Sequence, residues 1–143
     1  MHQLFATFFG LGFSKFAPGT VASLAACLLF YLIETPIWIS IPAIIILFFL
    51  GIRSANVLEA KYEKDASCIV IDEVVGMWIA VLFIPHDWRY FLAALILFRI
   101  FDISKILFIK KAENLKGGLG VMADDVTAGI YSNLLLQLFI WFN

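Results

Sequence analysis

Apolar residues run through this chain in long blocks. Residues 21–33, 37–57, 69–84, 91–109 and 126–142 form five apolar stretches with polar breaks between them. A full crossing of a lipid hydrocarbon core takes about 20 helical residues, so the second, fourth and fifth stretches are long enough to span. The first and third are short; they either lean on snorkelling neighbours or penetrate part-way, as buried or re-entrant helices do. The pattern predicts an all-α, multi-spanning membrane bundle of about four to five apolar helices.

The breaks alternate in character. Glu34-Thr35-Pro36 and Pro85-His86-Asp87-Trp88-Arg89 are brief, whereas the first, third and fifth polar segments are longer and richer in charge. If all five stretches cross, the longer segments share one side. That side then carries Lys15, Lys61, Lys64, Lys110, Lys111 and Lys116, with Arg53 and Lys105 near it, against Arg89 opposite. The positive-inside bias makes that side cytoplasmic. The same parity puts Asp72, Glu73, Asp102, Asp124 and Asp125 at the cytoplasmic ends of the third, fourth and fifth helices, so five carboxylates converge on one face.

Composition sharpens this picture. Hydrophobic residues make up 63% of the 143, and the mean hydropathy is +0.99, beyond the apolar share of a soluble domain. The length suits one membrane-embedded domain over 1–143. A net charge of -1 offers no basic field for nucleic acid. Cys27 and Cys68 have neither metal-ligand nor disulfide-framework spacing and read as free thiols. Lys15 comes late and Phe16-Ala17-Pro18-Gly19 interrupts the apolar run, so no removable signal peptide is expected. Trp38, Trp88 and Trp141 read as interfacial anchors.

The candidate chemistry lies in the acidic residues. Asp72-Glu73 precede the apolar run from Val74, with Gly76 one turn on, where a helix, an ion or a headgroup phosphate can come close. Acidic residues also simply favour a helix N-terminus. Asp124-Asp125 repeat the arrangement before Val126-Thr127-Ala128-Gly129, where they read as N-cap and first-turn residues. Arg99, Asp102 and Lys105 are spaced by three, forming a charged stripe in an otherwise apolar helix. Such a stripe must face the bundle interior or a polar cavity, or neutralise itself as an ion-pair ladder.

Two acidic pairs and a further aspartate supply the oxygen ligands Mg²⁺ prefers, without the His or Cys set expected for zinc. In phosphoryl chemistry such an ion neutralises phosphate charge and activates water. Arg99, Lys105 and Lys15 are candidate phosphate clamps. Thr20 can cap the first apolar helix, with Lys15 beside its free N–H groups. Gly117-Gly118-Leu119-Gly120 is either a backbone nest for phosphate or a loop. Cys68 has Val74, not Arg, six residues on, so a cysteine-phosphatase loop is missing. His86 falls in the opposite-side break, which leaves no well-placed phosphohistidine.

Four segments together resemble the phosphatidylglycerophosphatase A family: Ala17-Pro18-Gly19-Thr20, residues 69–78 (IVIDEVVGMW), Phe98-Arg99-Ile100-Phe101-Asp102, and residues 117–125 (GGLGVMADD). The resemblance implies a helical membrane enzyme of the bacterial inner membrane. With Mg²⁺ it removes the terminal phosphate of phosphatidylglycerophosphate, a membrane phospholipid, giving phosphatidylglycerol and inorganic phosphate. It puts Asp72, Glu73, Asp102, Asp124 and Asp125 around metal and phosphate. Of these, Asp72, Glu73, Asp124 and Asp125 are the expected metal ligands, Asp102 a further ligand or the base, and Arg99, Lys105, Lys15 and Thr20 the substrate contacts. Two positions depart from the family. Ala22 stands where it has Gly, and Ile106-Leu107-Phe108 follow Lys105 where it has a Lys-Pro-x-Pro stretch, so this helix is expected to run on toward Lys110. Two other readings remain: a phosphatase for another lipid or isoprenoid phosphate, and a transporter whose acidic residues line an ion path.

Overall fold

The computed structural model describes residues 2–59, 68–106 and 108–142. It is all-helical, with no strand among the described residues. Short α1 (His2–Ala6) and a 3₁₀ turn (Leu11–Phe13) lead into α2 (Pro18–Ile33) and α3 (Ile37–Glu59). Then come α4 (Ile71–Ala80), α5 (Trp88–Ser104), short α6 (Ile109–Glu113) and α7 (Gly118–Phe142). The five apolar stretches thus correspond to α2, α3, α4, α5 and α7. Lys61 and Lys64 lie outside the described residues.

Local chemistry sets the helix ends. Pro18 opens α2 at a position where its missing N–H costs nothing. Asp87 caps α5 by accepting from the Arg89 backbone N–H at 2.9 Å. Hydrogen bonds from the Arg89 side chain, and then from its backbone, pull the Asp87 carboxyl down to about 2. The C-terminal end of α5 departs from expectation: it stops at Ser104 without a proline, because Lys105 takes a left-handed backbone (φ 46). The run toward Lys110 is therefore broken, and the chain resumes as α6 with Ile109 buried.

At 1.5 Å per residue, α3 is about 35 Å long and α7 about 37 Å, while α4 is about 15 Å. Among the described helices, α3 is the one that is both long and apolar enough to cross a membrane unaided, over Ile37–Leu58. Leu24, Leu28, Leu32, Trp38, Ile46, Phe49 and Trp141 are exposed, an outer face that water would not favour.

The short α4 forms the centre of the bundle. Ile71, Val74, Val75, Gly76, Met77 and Ala80 are all buried. A Cβ on Gly129 of α7 would collide with the Gly76 carbonyl, and one on Gly76 would lie 2.6 Å from both the Asp125 carbonyl and the Phe98 ring. The space beside Gly76 is therefore filled by a neighbouring helix, the small-residue contact that lets two helices touch through their backbones. The short α4 ends inside the bundle, where Asn133 of α7 donates to the Ala80 carbonyl and Gln137 to that of Leu82 just beyond the helix. The chain then continues to His86, whose Nε2 lies 2.8 Å from the Tyr31 carbonyl near the end of α2.

Candidate active site

One end of the bundle gathers the start of α2, the starts of α4 and α7 and the end of α5. Asp72 and Glu73 occupy the first turn of α4, where the helix dipole favours negative charge. Asp102 lies in the last turns of α5, with Arg99 one turn earlier. Asp124 and Asp125 are buried within α7. They are not N-cap residues, because α7 begins at Gly118; the glycine-rich run that reads as a loop is its first turn.

The carboxylates form two groups that share a member. Ligand oxygens of Asp72, Glu73 and Asp125 all lie within 4.8 Å of one another, and so do those of Asp102, Asp124 and Asp125. The two groups differ in how they are satisfied. Arg99 Nη1 donates to Asp102 Oδ2 at 2.7 Å, and Lys105 Nζ donates to Asp102 Oδ1 at 2.9 Å. Lys105 also reaches across to Asp124 Oδ2, and the Asp125 backbone N–H donates to Asp124 Oδ1 at 2.9 Å. In the other group Asp72 Oδ1 and Glu73 Oε2 are buried without a hydrogen-bond partner, as is Arg99 Nε.

Unpartnered buried carboxylate oxygens are costly. Three carboxylates whose oxygens converge, two of them with an orphaned atom, form a donor set that fits a hard divalent cation. Asp72, Glu73 and Asp125 are the residues that could hold one. Asp124, expected as a ligand, has both oxygens engaged by Lys105 and by the Asp125 backbone. The Arg99/Asp102/Lys105 stripe is an ion-pair ladder along α5 and, through Lys105, a bridge to α7.

Among the described residues, Lys15 and Thr20 are exposed and make no hydrogen bond or ion pair with the carboxylates. From their motif it is Gly19 that reaches the site. A Cβ there would run into Glu73 Oε1 and lie 3.3 Å from Arg99 Nη1. Of the glycine-rich run, which reads as a nest or a loop, two N–H groups already have partners. Gly118 N–H donates to Asn56 Oδ1 at 2.7 Å, which docks α7 against α3, and Gly120 N–H donates to Gly117 O at 2.8 Å within the first turn. Gly19, Asn133 and Gln137 carry structural duties that residue type alone does not reveal.

A family model described as "Phosphatidylglycerophosphatase A" matches residues 4–140. Among curated proteins, the chain is 45% identical to a Bacteroides thetaiotaomicron protein described as "Putative phosphatidylinositol-3-phosphatase", over 96% of this chain and 92% of that one. It is 37% identical to phosphatidylglycerophosphatase A of Escherichia coli, over 91% of this chain and 78% of that one. The corresponding protein of Haemophilus influenzae is 38% identical, over 94% and 85%. No solved structure matches the chain.

Proposed function

The chain belongs to the phosphatidylglycerophosphatase A family and is a phosphatase; from that premise we propose that it hydrolyses the terminal phosphate of phosphatidylglycerophosphate, using one face of a membrane-embedded bundle and a divalent ion, Mg²⁺. The observation that carries this reading is the acid group Asp72, Glu73 and Asp125, with its two buried, unpartnered carboxylate oxygens.

In this reading Asp72, Glu73 and Asp125 hold the ion. When bound, such an ion neutralises phosphate charge and lowers the pKa of a coordinated water. Arg99 presents its free Nε to a phosphate oxygen, and Lys105 adds a second positive charge. Asp102 and Asp124 hold these two cations in position. Gly19 leaves the room that Glu73 and Arg99 need. In the net reaction the oxygen of water ends on phosphorus, the phosphorus–oxygen ester bond breaks, and the departing glycerol oxygen leaves with a proton.

The exposed apolar faces of α2, α3 and α7 fit lipid, with the bundle embedded in the bacterial inner membrane and the non-helical residues after α4 completing the third passage to His86. The site then faces the cytoplasm, on the side of Lys15, Arg53, Lys110, Lys111 and Lys116. The diacylglycerol part of the substrate stays in the bilayer while its headgroup reaches the carboxylates. The Bacteroides relative's description supports a second reading, in which the same chemistry acts on the phosphate monoester of a different lipid headgroup.

The test is phosphate release by the purified protein in mixed micelles, with Mg²⁺ and with EDTA. Phosphatidylglycerophosphate, phosphatidic acid and phosphatidylinositol 3-phosphate are compared side by side. Fast, Mg²⁺-dependent release from the first alone supports the proposal. Preference for either of the others keeps the chemistry and changes the substrate, and full activity in EDTA rules out the ion.

A further inference from the structure

The two acid groups around Asp125 invite a two-ion site, but the second is already filled. Both oxygens of Asp102 are taken, by Arg99 at 2.7 Å and Lys105 at 2.9 Å. Both oxygens of Asp124 are taken as well, by Lys105 and by the Asp125 backbone N–H. The first group keeps its orphaned oxygens on Asp72 and Glu73. A cation entering the second group would have to displace an ammonium that lies between its two carboxylates.

We propose that the ammonium of Lys105 stands in for a second metal ion, so that the site works with one divalent cation and one built-in organic cation. The inference rests on the metal-phosphatase reading above and adds how many ions the site takes.

The backbone supports this role. Lys105 holds a left-handed conformation that lysine rarely adopts, φ 46 and ψ 41, at the end of α5. Ending the helix there lets the side chain turn back on Asp102 and across to Asp124, instead of continuing along the helix surface toward lipid. A lysine ammonium has three N–H donors. Two are spent on Asp102 and Asp124, which leaves one for a phosphate oxygen. An ammonium also needs no coordination shell and stays in place between turnovers.

The test is a count of bound ions. Full-length protein in detergent is titrated with Mn²⁺, a spectroscopically visible probe, by electron paramagnetic resonance and calorimetry. One ion per chain is expected for the wild type and for Lys105→Arg. Two are expected for Lys105→Met, which keeps the shape of the side chain and removes the charge. Asp124→Asn, whose carboxylate serves the lysine, is expected to keep one ion. Two ions in the wild type, one in Lys105→Met, or loss of the ion in Asp124→Asn overturns the proposal while leaving a metal phosphatase. No ion in the wild type overturns the metal reading itself, and this inference with it.

Discussion

The side-chain amide of Asn133 donates to the Ala80 carbonyl at 3.0 Å and, two residues on, to the Leu82 carbonyl at 2.6 Å. Gln137 buttresses it from the next turn of α7, donating to Asn133 Oδ1 at 2.6 Å. A helix that stops inside an apolar bundle leaves carbonyls that no water can satisfy. The Asn133/Gln137 pair removes that cost and thereby fixes the depth of α4, whose other end carries Asp72 and Glu73.

Asn133→Leu should therefore destabilise the protein by about 1–3 kcal/mol, the cost of buried carbonyls left without donors. Asn133→Asp should do no better, because a carboxylate cannot donate. Thermal melts in detergent check this; an Asn133→Leu protein as stable as wild type would mean that the end of α4 is satisfied in another way.

Asp72→Asn should separate activity from stability. Turnover should fall by about 10²-fold or more, since even supporting residues of a metal site contribute about 10–100-fold. The metal-free protein should melt a few degrees higher, because a buried carboxylate with an unpartnered oxygen has been neutralised. Melting curves in EDTA beside phosphate-release rates provide both readouts. A lower metal-free melting temperature would show that Asp72 has a structural partner.

Gly19→Ala should retain the fold and lose activity. Its new methyl group would press on the Glu73 carboxylate and the Arg99 guanidinium. A displacement of about 1 Å at a catalytic centre can cost about 10²-fold in rate. Comparing kcat with the melting temperature distinguishes this from general unfolding, which would lower both.

At the opposite end of the bundle, pH acts on the Asp87 cap. Its carboxyl is held at about 2 against an ordinary value of 3.8. A depressed folded value means that its stabilisation is complete above the ordinary value and fades as pH falls through the folded one. Amide exchange over residues 88–92 of the wild type should therefore be fully protected at pH 5 and still partly protected at pH 3. In Asp87→Ala the start of α5 should fray at both. Equal protection in the two proteins would mean that the cap contributes little.

The hydropathy pattern by itself determined that the chain is helical and apolar and roughly where its five main helices lie, but not where α5 ends or α7 begins. Blocks of apolar residues against polar breaks are a one-dimensional signal. Parity of those blocks, taken as crossings, gathers Asp72, Glu73, Asp102, Asp124 and Asp125 on one face; in the structure these carboxylates do lie together at one end of the bundle, and four motifs carried the family. Pairing is a different kind of information. That Lys105 turns back onto Asp124, that Asp125 belongs to both acid groups, and that Asp72 and Glu73 keep free oxygens depend on side-chain directions at helix ends. The sequence extends α5 past Lys105 because no proline stops it; the tertiary structure stops it with an unfavourable backbone angle at a lysine held between two carboxylates. Glycines and amides behave alike in this respect. Gly19, Gly129 and Asn133 are chosen for what stands opposite them in space, and the chain has to be folded before those neighbours exist.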